Sequence, residues 1–464
     1  MRTVLKFGGT SVASAEALQR VTAIVRGIKG DRIVVVSATA GTTNKLAEAA
    51  DAAAGGGGDR AQLIVDELAK AHEALLRSVA PTQADETSAD LAELAARTAA
   101  LLRSVAILRE CTARTRDAVL AYGELASAPI VAAALRRSGL DSRPVAATAF
   151  VVTDDAFGNA SPLFTETYAA AREWLQPLIK AGTVPVVTGF IGATADGVTT
   201  TLGRGASDYT AAILAAALGA GDFRIYTDVS GVMSADPRMV EGSRPLERLS
   251  YAEAAELSYF GAKVLHPRAV LPAIEAGIPV RILNTFEPEH AGTTITAQGV
   301  PDGSVVKATT SLGGLSLVTV QGAGMSGVPG FAAKVFDTTA AEGVSVLMIS
   351  QASSENSICL VVPADTADRL KAALERMLAK ELAHHDVERV TVERPIAVVA
   401  AVGEGMRGTP GVAARIFGAL GKAGVNVIAI AQGSSELNIS LCVTERDQAK
   451  AVRAIHEEFE RERS

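Results

Sequence analysis

Cysteine and aromatic residues are scarce in this sequence of 464 residues. Its three cysteines, Cys111, Cys359 and Cys442, are an odd number and widely spaced, which fits neither a disulfide framework nor a zinc site. A reducing compartment follows. No run of about 18 apolar residues occurs, and glycine interrupts the first residues too early for a signal peptide. We therefore expect a cytoplasmic protein that does not span a membrane.

An excess of positive charge is also missing. The formal net charge is -7, whereas nucleic acids and anionic lipids bind basic surfaces that replace their counterions. We therefore expect neither partner. The sequence is 48% hydrophobic and 20% charged, which are ordinary globular values, and its length predicts a large first domain and at least one further core.

Short β-rich segments each lead into a turn of small residues and then a helical pattern. This order is typical of βα units in a mainly parallel sheet, so the predicted fold class is α/β. Ligands of such sheets bind at the carboxyl ends of the strands. An Ala-rich and Leu-rich stretch over 45–120, broken at 55–58, predicts a helical packing insert. The clearest predicted strands are 3–7, 32–37, 184–189, 223–228 and 279–283.

The C-terminal part of the sequence contains an internal repeat. The glycine-rich segment that begins at Gly324 recurs 81 residues later at Gly405, and the register continues to Gln351 and Gln432. Two small α/β modules are predicted, after a domain boundary in the turn-rich segment 296–314. The glycine loops and the glutamine amides suit the carboxylate and hydroxyl of an amino acid.

The N-terminal strand delivers a lysine into a glycine turn. No G-x-x-x-x-G-K-[ST] motif occurs, so a nucleotide would need another phosphate-binding segment. Lys6 precedes Gly8 and Gly9, where backbone amides can approach phosphate closely, although a structural turn with a solvated lysine explains this segment equally well. Hydroxyls from Ser37 to Thr43 precede a helix, which suits an anion or a simple helix cap.

Three charged residues suit a small amino-acid substrate. Arg204 lies between two glycines and offers a forked donor that matches a carboxylate. Asp208 begins an Ala-rich helix, where it also complements the helix dipole. Glu124 falls within a helical pattern and, taken alone, is more often a surface carboxylate.

Seven segments in order resemble the motif series of aspartokinases. They are KFGGTSV, SATAGTTN, GEL, TTLGRGASDYTAA, YTDVSGV, DPR and FGAKVLHP. The resemblance covers nearly the whole chain and is greatest to the kinase half of threonine-sensitive bifunctional aspartokinase/homoserine dehydrogenases. It implies an amino-acid-kinase αβα sandwich followed by two ferredoxin-like ACT modules that exchange strands. The expected domains are 1–300, 312–390 and 394–464.

The resemblance also implies an activity and its control. The expected reaction is ATP-dependent phosphorylation of the side-chain carboxylate of L-aspartate to 4-phospho-L-aspartate, with Mg²⁺ carried by the nucleotide. This is the first step towards lysine, threonine and methionine. Feedback by an end product is expected, with threonine preferred and lysine possible. A homodimer or homotetramer through the ACT modules is expected as well.

Site residues follow from the resemblance position by position, and no metal-ligand set is among them. Met233 stands where many relatives have tyrosine, so an aromatic contact to the nucleotide is in doubt there. The catalytic residues implied are Lys6, Asp208 and Lys263. The implied ATP-binding residues are Lys6, Gly8, Gly9, Thr227, Asp228, Met233, Arg238 and Lys263. The implied aspartate-binding residues are Ser37, Thr43, Glu124, Arg204 and Asp208. The implied effector-binding residues are Met325, Gln351, Ser353, Glu355, Gln432 and Ser434.

Two alternatives remain open from the sequence. One is another kinase of the same fold that acts on acetylglutamate, glutamate or a nucleoside monophosphate. An N-acetylated substrate would leave Glu124 and Asp208 unpaired. The other is a non-catalytic amino-acid sensor built on ACT-like modules, which the complete lysine and glycine set disfavours.

Overall fold

A computed structural model describes residues 1–81, 84–203, 205–261, 265–299 and 303–460. These residues fall into two compact units. The first unit comprises described residues of Met1–Val232, Glu247–Tyr251 and Val264–Gly299, and the second comprises those of Met233–Leu246, Ala252–Lys263 and Val300–Ser464. The segments 233–246 and 252–263 thus pack with the second unit, whereas the sequence analysis assigns them to the first domain.

Strands of the first unit form one large sheet and one small sheet. Their bounds are β1 (Arg2–Phe7), β2 (Asp31–Val36), β3 (Ser142–Val145), β4 (Val152–Thr153), β5 (Val184–Thr188), β6 (Ile191–Thr194), β7 (Thr199–Thr201), β8 (Asp222–Thr227), β9 (Arg248–Ser250), β10 (Val280–Asn284) and β11 (Thr293–Thr296). The large sheet has the order β3-β5-β2-β1-β8-β10-β11-β9, and the small sheet has the order β4-β6-β7. Among the described strands of the large sheet, the pair of β10 and β11 is antiparallel and the other pairs are parallel.

Helices of the same part of the chain are mostly long. Their bounds are α1 (Ala15–Gly27), α2 (Thr42–Ala54), α3 (Gly58–Val79), α4 (Ala84–Leu108), α5 (Ala113–Leu120), α6 (Tyr122–Arg137), α7 (Phe164–Lys180), α8 (Ala206–Leu218), α9 (Tyr251–Tyr259) and α10 (Leu271–Glu275). Short 3-10 helices cover Gly9–Val12, Ala147–Ala149 and Pro267–Val270. Most of α9 belongs to the second unit.

The two faces of the large sheet bury different helices. Leu5 and Phe7 of β1 belong to a core that also contains apolar residues of α1, α2, α3, α4 and α6. Because strand side chains alternate between faces, Val4 and Lys6 point to the opposite face. That face is covered by α8, which contacts β1, β2 and β8. The sheet therefore lies between two helical layers, and Lys6 faces α8.

Local sequence sets the helix ends nearest the candidate site. The Ser14 side chain accepts a hydrogen bond from the Ala17 amide at 3.2 Å and caps α1. Gly205, just before α8, has φ of +70°, a conformation that residues with a side chain rarely adopt. The combined stretch Ala113–Arg137 is long and apolar enough to cross a membrane, but 78% of its most apolar part is buried in the described protein, as in a core helix.

The second unit contains a six-stranded sheet with helices. Its elements are β12 (Ala308–Gln321), α11 (Phe331–Ala341), β13 (Met348–Gln351), β14 (Ser357–Pro363), α12 (Ala367–Met377), α13 (Ala379–Ala383), β15 (Arg389–Val402), α14 (Val412–Lys422), β16 (Ala429–Gln432), β17 (Asn438–Thr444) and α15 (Gln448–Glu460), with 3-10 helices at Ala323–Met325, Glu404–Met406 and Glu445–Asp447. The strand order is β13-β14-β12-β15-β17-β16.

The two longest strands of this sheet each belong to both repeats. In β12, residues 315–321 pair with β14 and with the first half of β15, whereas residues 308–312 pair with the second half of β15. That second half also pairs with β17. Two separate apolar cores follow: Val318 and Val320 pack with α11 and α12, while Ala397 and Val399 pack with α14 and α15. The predicted α/β fold class is confirmed.

Candidate active site

A buried ion pair joins β1 to α8. The Lys6 Nζ lies 2.8 Å from Asp208 Oδ1, and the two side chains are only 11% and 13% exposed. Asp208 occupies the first turn of α8, where the helix dipole stabilises a carboxylate. A buried ammonium needs such a partner because its desolvation is costly. The ion pair therefore fixes a positive charge at the carboxyl end of β1.

The glycine turn after β1 packs directly on the loop after β2. A Cβ on Gly9 would lie 2.8 Å from the Ala38 carbonyl oxygen, so only glycine fits there. The Ala40 amide donates to the Gly9 carbonyl at 3.2 Å. The Gly8 amide donates to the Tyr226 carbonyl at 3.0 Å, so it is already used within the protein.

Glu124 is a buried carboxyl at the start of α6. It is 3% exposed, and its Oε1 accepts a hydrogen bond from the Ala38 amide at 3.0 Å. Its Oε2 has no hydrogen-bond partner among the described residues. Burial raises the pKa of Glu124 from 4.5 to about 8, while the bond from Ala38 acts in the opposite direction. A neighbouring cation would stabilise the ionised form of this carboxyl.

These groups line one cavity of about 750 Å³ in the first unit, called the main cavity below. The loop after β2 supplies Ser37 and Thr43, and α6 supplies Glu124. The ion pair of Lys6 and Asp208 forms another part of the lining. The cavity thus brings a fixed ammonium, a buried carboxyl with a free oxygen and several hydroxyls into one space, which suits a small zwitterion.

A network of buried hydrogen bonds connects the loop after β2 to α3 and α6. The buried His72 of α3 lies with Nε2 2.9 Å from Thr39 Oγ1 and Nδ1 3.3 Å from the Tyr122 hydroxyl. Thr39 Oγ1 lies 2.7 Å from Thr42 Oγ1. Burial lowers the pKa of His72 to about 4, so the ring is neutral at pH 7 and can both donate and accept.

Comparison with known proteins shows the family. The model described as amino acid kinase family matches residues 1–284, and the model described as ACT domain matches residues 318–378 and 399–459. Aspartokinase 3, chloroplastic, of Arabidopsis thaliana is 35% identical over 98% of this chain and 81% of its own length. The chain belongs to the aspartokinase family.

Other relatives agree with this assignment. Bifunctional aspartokinase/homoserine dehydrogenase 1, chloroplastic, of Arabidopsis thaliana is 38% identical over 98% of this chain and 51% of its own. The chain thus spans about half the length of the bifunctional relatives it matches. E. coli aspartokinase III in complex with aspartate and ADP (R-state) has a TM-score of 0.83 and 31% identity over 99% of both chains. The same enzyme with lysine and aspartate (T-state) has a TM-score of 0.81 and 31% identity over 98% of this chain and 99% of its own. The predicted resemblance to aspartokinases is confirmed.

The remaining implied nucleotide residues are spread over both units. Thr227 ends β8, its hydroxyl donates to Asp228 Oδ1 at 3.1 Å, and its carbonyl accepts from the Thr285 amide at 2.9 Å. Met233 and Arg238 belong to the second unit. Neither Thr227 nor Asp228 lines the 750 Å³ cavity, so their nucleotide role stays a prediction.

Arg238 is paired within its own turn. Its guanidinium bonds to the Asp236 carboxylate, with Nη2 2.7 Å from Oδ2, and its side chain is 87% exposed. This pairing lowers the pKa of Asp236. Arg204 and Lys263, expected at the aspartate and nucleotide sites, lie outside the described residues. The described residues contain no group of three or more His, Cys, Asp or Glu that could hold a metal ion.

A second cavity lies in the first repeat of the second unit. It has a volume of about 360 Å³, and its lining includes Met325, Gln351 and Glu355. Glu355 has φ of +54°, and its Oε2 accepts from the Gly327 amide at 2.8 Å. Ser353 is exposed and is not part of the lining.

The second repeat has the same local arrangement. Glu436 has φ of +55° and accepts from the Gly408 amide at 2.7 Å. Gln432 and Ser434 are exposed residues of this repeat. The two glutamates therefore stabilise the glycine loops of their repeats, a role that the sequence analysis does not foresee.

Sequence reasoning missed further residues of the main cavity. Asp117 and Asn159 line it, and so does Phe190, whose φ of +67° is unusual for an aromatic residue. Asp117 stands seven residues before Glu124, one helix earlier, and no local motif distinguishes it from a surface carboxylate. Phe190 directly follows the end of a predicted strand, which was the only available signal.

Proposed function

We propose that this chain phosphorylates the side-chain carboxylate of L-aspartate with ATP and forms 4-phospho-L-aspartate. The observation that carries this proposal is the free Oε2 of the buried Glu124 in the main cavity. A substrate with a free ammonium would pair with this oxygen and return the carboxyl to its ionised form. An N-acetylated or nucleoside substrate has no such group and would leave the oxygen unpaired at a cost of several kcal/mol.

The rest of the cavity suits the two carboxylates of aspartate. Hydroxyls of Ser37 and Thr43 offer donors to the substrate carboxylates, and Lys6 lies in the same cavity, where its charge can act on the phosphoryl group. We also assign Arg204 to the substrate on its glycine-flanked sequence alone, because its forked guanidinium matches a carboxylate in two contacts. Arg204 would thus balance a substrate carboxylate and Glu124 the substrate ammonium, while Lys6 and Asp208 balance each other.

ATP is proposed to approach the glycine turn after β1. Gly9 lines the main cavity, and Lys6 lies at the adjacent strand end. Mg²⁺ would arrive with the nucleotide and would neutralise charge on the phosphate oxygens. The exposed carboxylate of Asp228 has oxygens of the type that Mg²⁺ prefers, whereas Asp208 is already paired with Lys6, so Asp228 is the residue that would contact this ion.

The proposed mechanism needs positioning rather than a strong base. The substrate carboxylate is already a nucleophile, and the chain must hold it in line with the terminal phosphate. Lys6 would stabilise the charge that moves through the phosphoryl group, and Asp208 holds the Lys6 ammonium in place. Lys263 would share this work, as its sequence motif implies.

The ACT modules are proposed to bind an end-product amino acid. The cavity at Met325 and Gln351 offers an amide for a hydroxyl or carboxylate, which favours threonine. Glu355 already binds the Gly327 amide, which reduces its availability for the distant ammonium of lysine. E. coli aspartokinase III has been solved with lysine, so lysine remains the competing ligand.

The proposal also covers the oligomeric state, the cellular location and the pathway. The edge strands β13 and β16 expose Ile349 and Ile430, and the Ser350 hydroxyl donates to the Ile430 carbonyl at 3.0 Å. The exposed apolar side chains on these two neighbouring strands suit contact with ACT modules of one or three further copies. We further propose a cytoplasmic enzyme at the start of lysine, threonine and methionine synthesis. These statements rest on the family, and the formal net charge of -7 is consistent with them.

The decisive experiment traps the acyl phosphate. The purified chain with aspartate, γ-labelled ATP and Mg²⁺ should form label-bearing product that hydroxylamine converts to aspartyl hydroxamate. N-acetylaspartate and glutamate serve as comparison substrates, and both should give little hydroxamate. Glu124→Gln, which retains an acceptor for the Ala38 amide, should raise the KM for aspartate by about 100-fold. Equal rates with N-acetylaspartate, or no hydroxamate from aspartate, would contradict the proposal.

A further inference from the structure

Asp117 of α5 is a buried carboxylate with three donors. It is 1% exposed, its Oδ2 accepts from the amides of Gly158 and Thr201, both at 2.9 Å, and its Oδ1 accepts from the Thr201 hydroxyl at 2.8 Å. Hydrogen bonds to an ionised carboxylate are about twice as strong as neutral ones. One side chain thus joins a helix to two separate segments of chain.

Both partner segments form walls of the main cavity. Gly158 and Asn159 belong to one wall, and Thr201 of β7 leads into Gly203 of the other. The walls also bind each other, because the Ala160 amide donates to the Thr201 carbonyl at 2.9 Å. A Cβ on Gly203 would overlap the side-chain oxygen of Asn159, so the two walls are in close contact.

The helix that carries Asp117 leads directly into α6. A single residue, Ala121, separates α5 from α6, and Glu124 lies in the first turn of α6. The three bonds of Asp117 therefore set the distance from Glu124 to the walls at Gly158 and Thr201. Movement of these walls would change the width of the cavity where the substrate ammonium and carboxylates must both be held.

We propose that Asp117 is a positioning residue that sets the affinity of the cavity for aspartate. It acts through the Gly158 and Thr201 walls, since its side-chain hydrogen bonds with described residues are made to those two residues. The inference rests on the proposed function, because it assumes that aspartate occupies this cavity. It predicts an effect on substrate binding that is larger than any effect on the phosphoryl transfer step.

The test is the Asp117→Asn variant of the full chain. Asparagine has the same shape but no charge: its oxygen can accept from the Gly158 and Thr201 amides and its NH₂ group can face the Thr201 hydroxyl, so the charge-assisted bonds are replaced by weaker neutral ones. The KM for aspartate should rise about tenfold, while kcat and the KM for MgATP change by less than about twofold. Asp222→Asn is the matched control, because Asp222 is also a buried aspartate and pairs with Arg224 and Arg281 at the other end of β8.

Thr201→Val provides a second variant if Asp117→Asn does not fold. It removes one of the three bonds and should raise the KM for aspartate about threefold at an unchanged KM for MgATP. The inference is overturned if the KM for aspartate stays within about twofold of wild type in every soluble variant, or if Asp222→Asn raises it equally. Wild-type protein that makes no hydroxamate would instead refute the proposed function, so the two failures are distinguishable.

Discussion

Glu124 links proton binding to substrate binding. Its pKa is raised from 4.5 in the unfolded chain to about 8 in the folded protein. Between these values the folded protein holds a proton that the unfolded chain has lost, so burial of Glu124 costs stability increasingly as pH rises from 4.5 to about 8. A bound ammonium reverses this preference, because it stabilises the ionised carboxylate. Aspartate binding should therefore release a proton below about pH 8.

The first prediction concerns the pH dependence of aspartate binding. The KM for aspartate should fall as pH rises, by up to about tenfold per unit, and should level off above about pH 8. Initial rates at saturating MgATP between about pH 6 and pH 9 measure this. Glu124→Gln is the control and should give a higher KM that no longer depends on pH in this range. A wild-type KM that rises with pH would show that Glu124 is not the ammonium ligand.

The second prediction concerns Lys6. Lys6→Met keeps much of the buried aliphatic stem but removes the charge that the reacting phosphoryl group needs, so kcat should fall at least about 100-fold. Aspartate affinity should change much less, and calorimetric titration of the variant measures it. Lys6→Ala should lose turnover to the same degree. A variant with a nearly normal maximal rate would assign phosphate neutralisation to another residue.

At the residue scale, the sequence identifies the charged residues of the site more readily than the residues that packing buries beside it. Lys6, Glu124 and Asp208 were selected from motifs, and the structure brings all three to one cavity. Asp117 and His72 also hold hydrogen bonds at this cavity and its supporting loop, but they lie in helical patterns without a motif. Their burial depends on packing between helices distant in sequence, which no local pattern of residues reports.

At the scale of elements, the loop after β2 depends on a glycine of α6. A Cβ on Gly123 would lie 2.6 Å from Ala38 Cβ and 3.3 Å from Thr42 Cγ2. Helix α6 therefore packs so closely on this loop that a side chain at position 123 has no room. The contact explains why the Ala38 amide reaches Glu124, the neighbour of Gly123.

The third prediction follows from that contact. Gly123→Ala should displace the loop and lower kcat/KM for aspartate at least about tenfold, although alanine favours a helix by roughly 1 kcal/mol. Gly27→Ala in α1 is the matched control, since a Cβ there meets nothing within 4 Å. The control should retain activity. Thermal melting distinguishes a local displacement of the loop from unfolding of the protein. A Gly123→Ala variant with normal activity would show that the loop can move without loss of function.

The fourth prediction concerns effector binding in the repeats. Threonine should bind with measurable heat in calorimetric titration, because the Gln351 amide lines the ACT cavity and can bond its hydroxyl. A Gln351→Ala, Gln432→Ala double variant should lose both the heat and inhibition by threonine. Single variants show which repeat matters. Heat from lysine alone, or from neither amino acid, would contradict the preference for threonine.

Elements of the first unit follow the sequence pattern closely. Predicted strands 3–7 and 32–37 are observed as β1 and β2, with bounds that differ by one residue. The glycine break at 55–58 separates α2 from α3. Apolar runs that end in glycine are local signals, and local signals define such elements well. The small sheet of β4, β6 and β7 was not predicted, because its strands are only two to four residues long.

At the scale of the whole chain, the paired repeats belong to one compact unit and exchange strands. The first repeat takes residues 389–393 from β15, and the second repeat takes residues 308–312 from β12. Each core therefore depends on a strand that lies in sequence beside the other repeat. The 81-residue register revealed the repeat, but strand exchange depends on pairing between distant segments, so only the family resemblance suggested it.

The last prediction tests this dependence with fragments. A fragment of residues 303–387 lacks the first half of β15, so residues 315–321 of β12 would become an unpaired edge that carries Leu317 and Val320. Such an edge promotes aggregation. Fragment 303–395 restores the missing pairing and should melt cooperatively, as should 303–464, whereas 303–387 should not. Circular dichroism and sedimentation measure this difference. A cooperative, monomeric 303–387 would show that the first repeat needs no strand from the second, because its apolar core would then be stable with three strands.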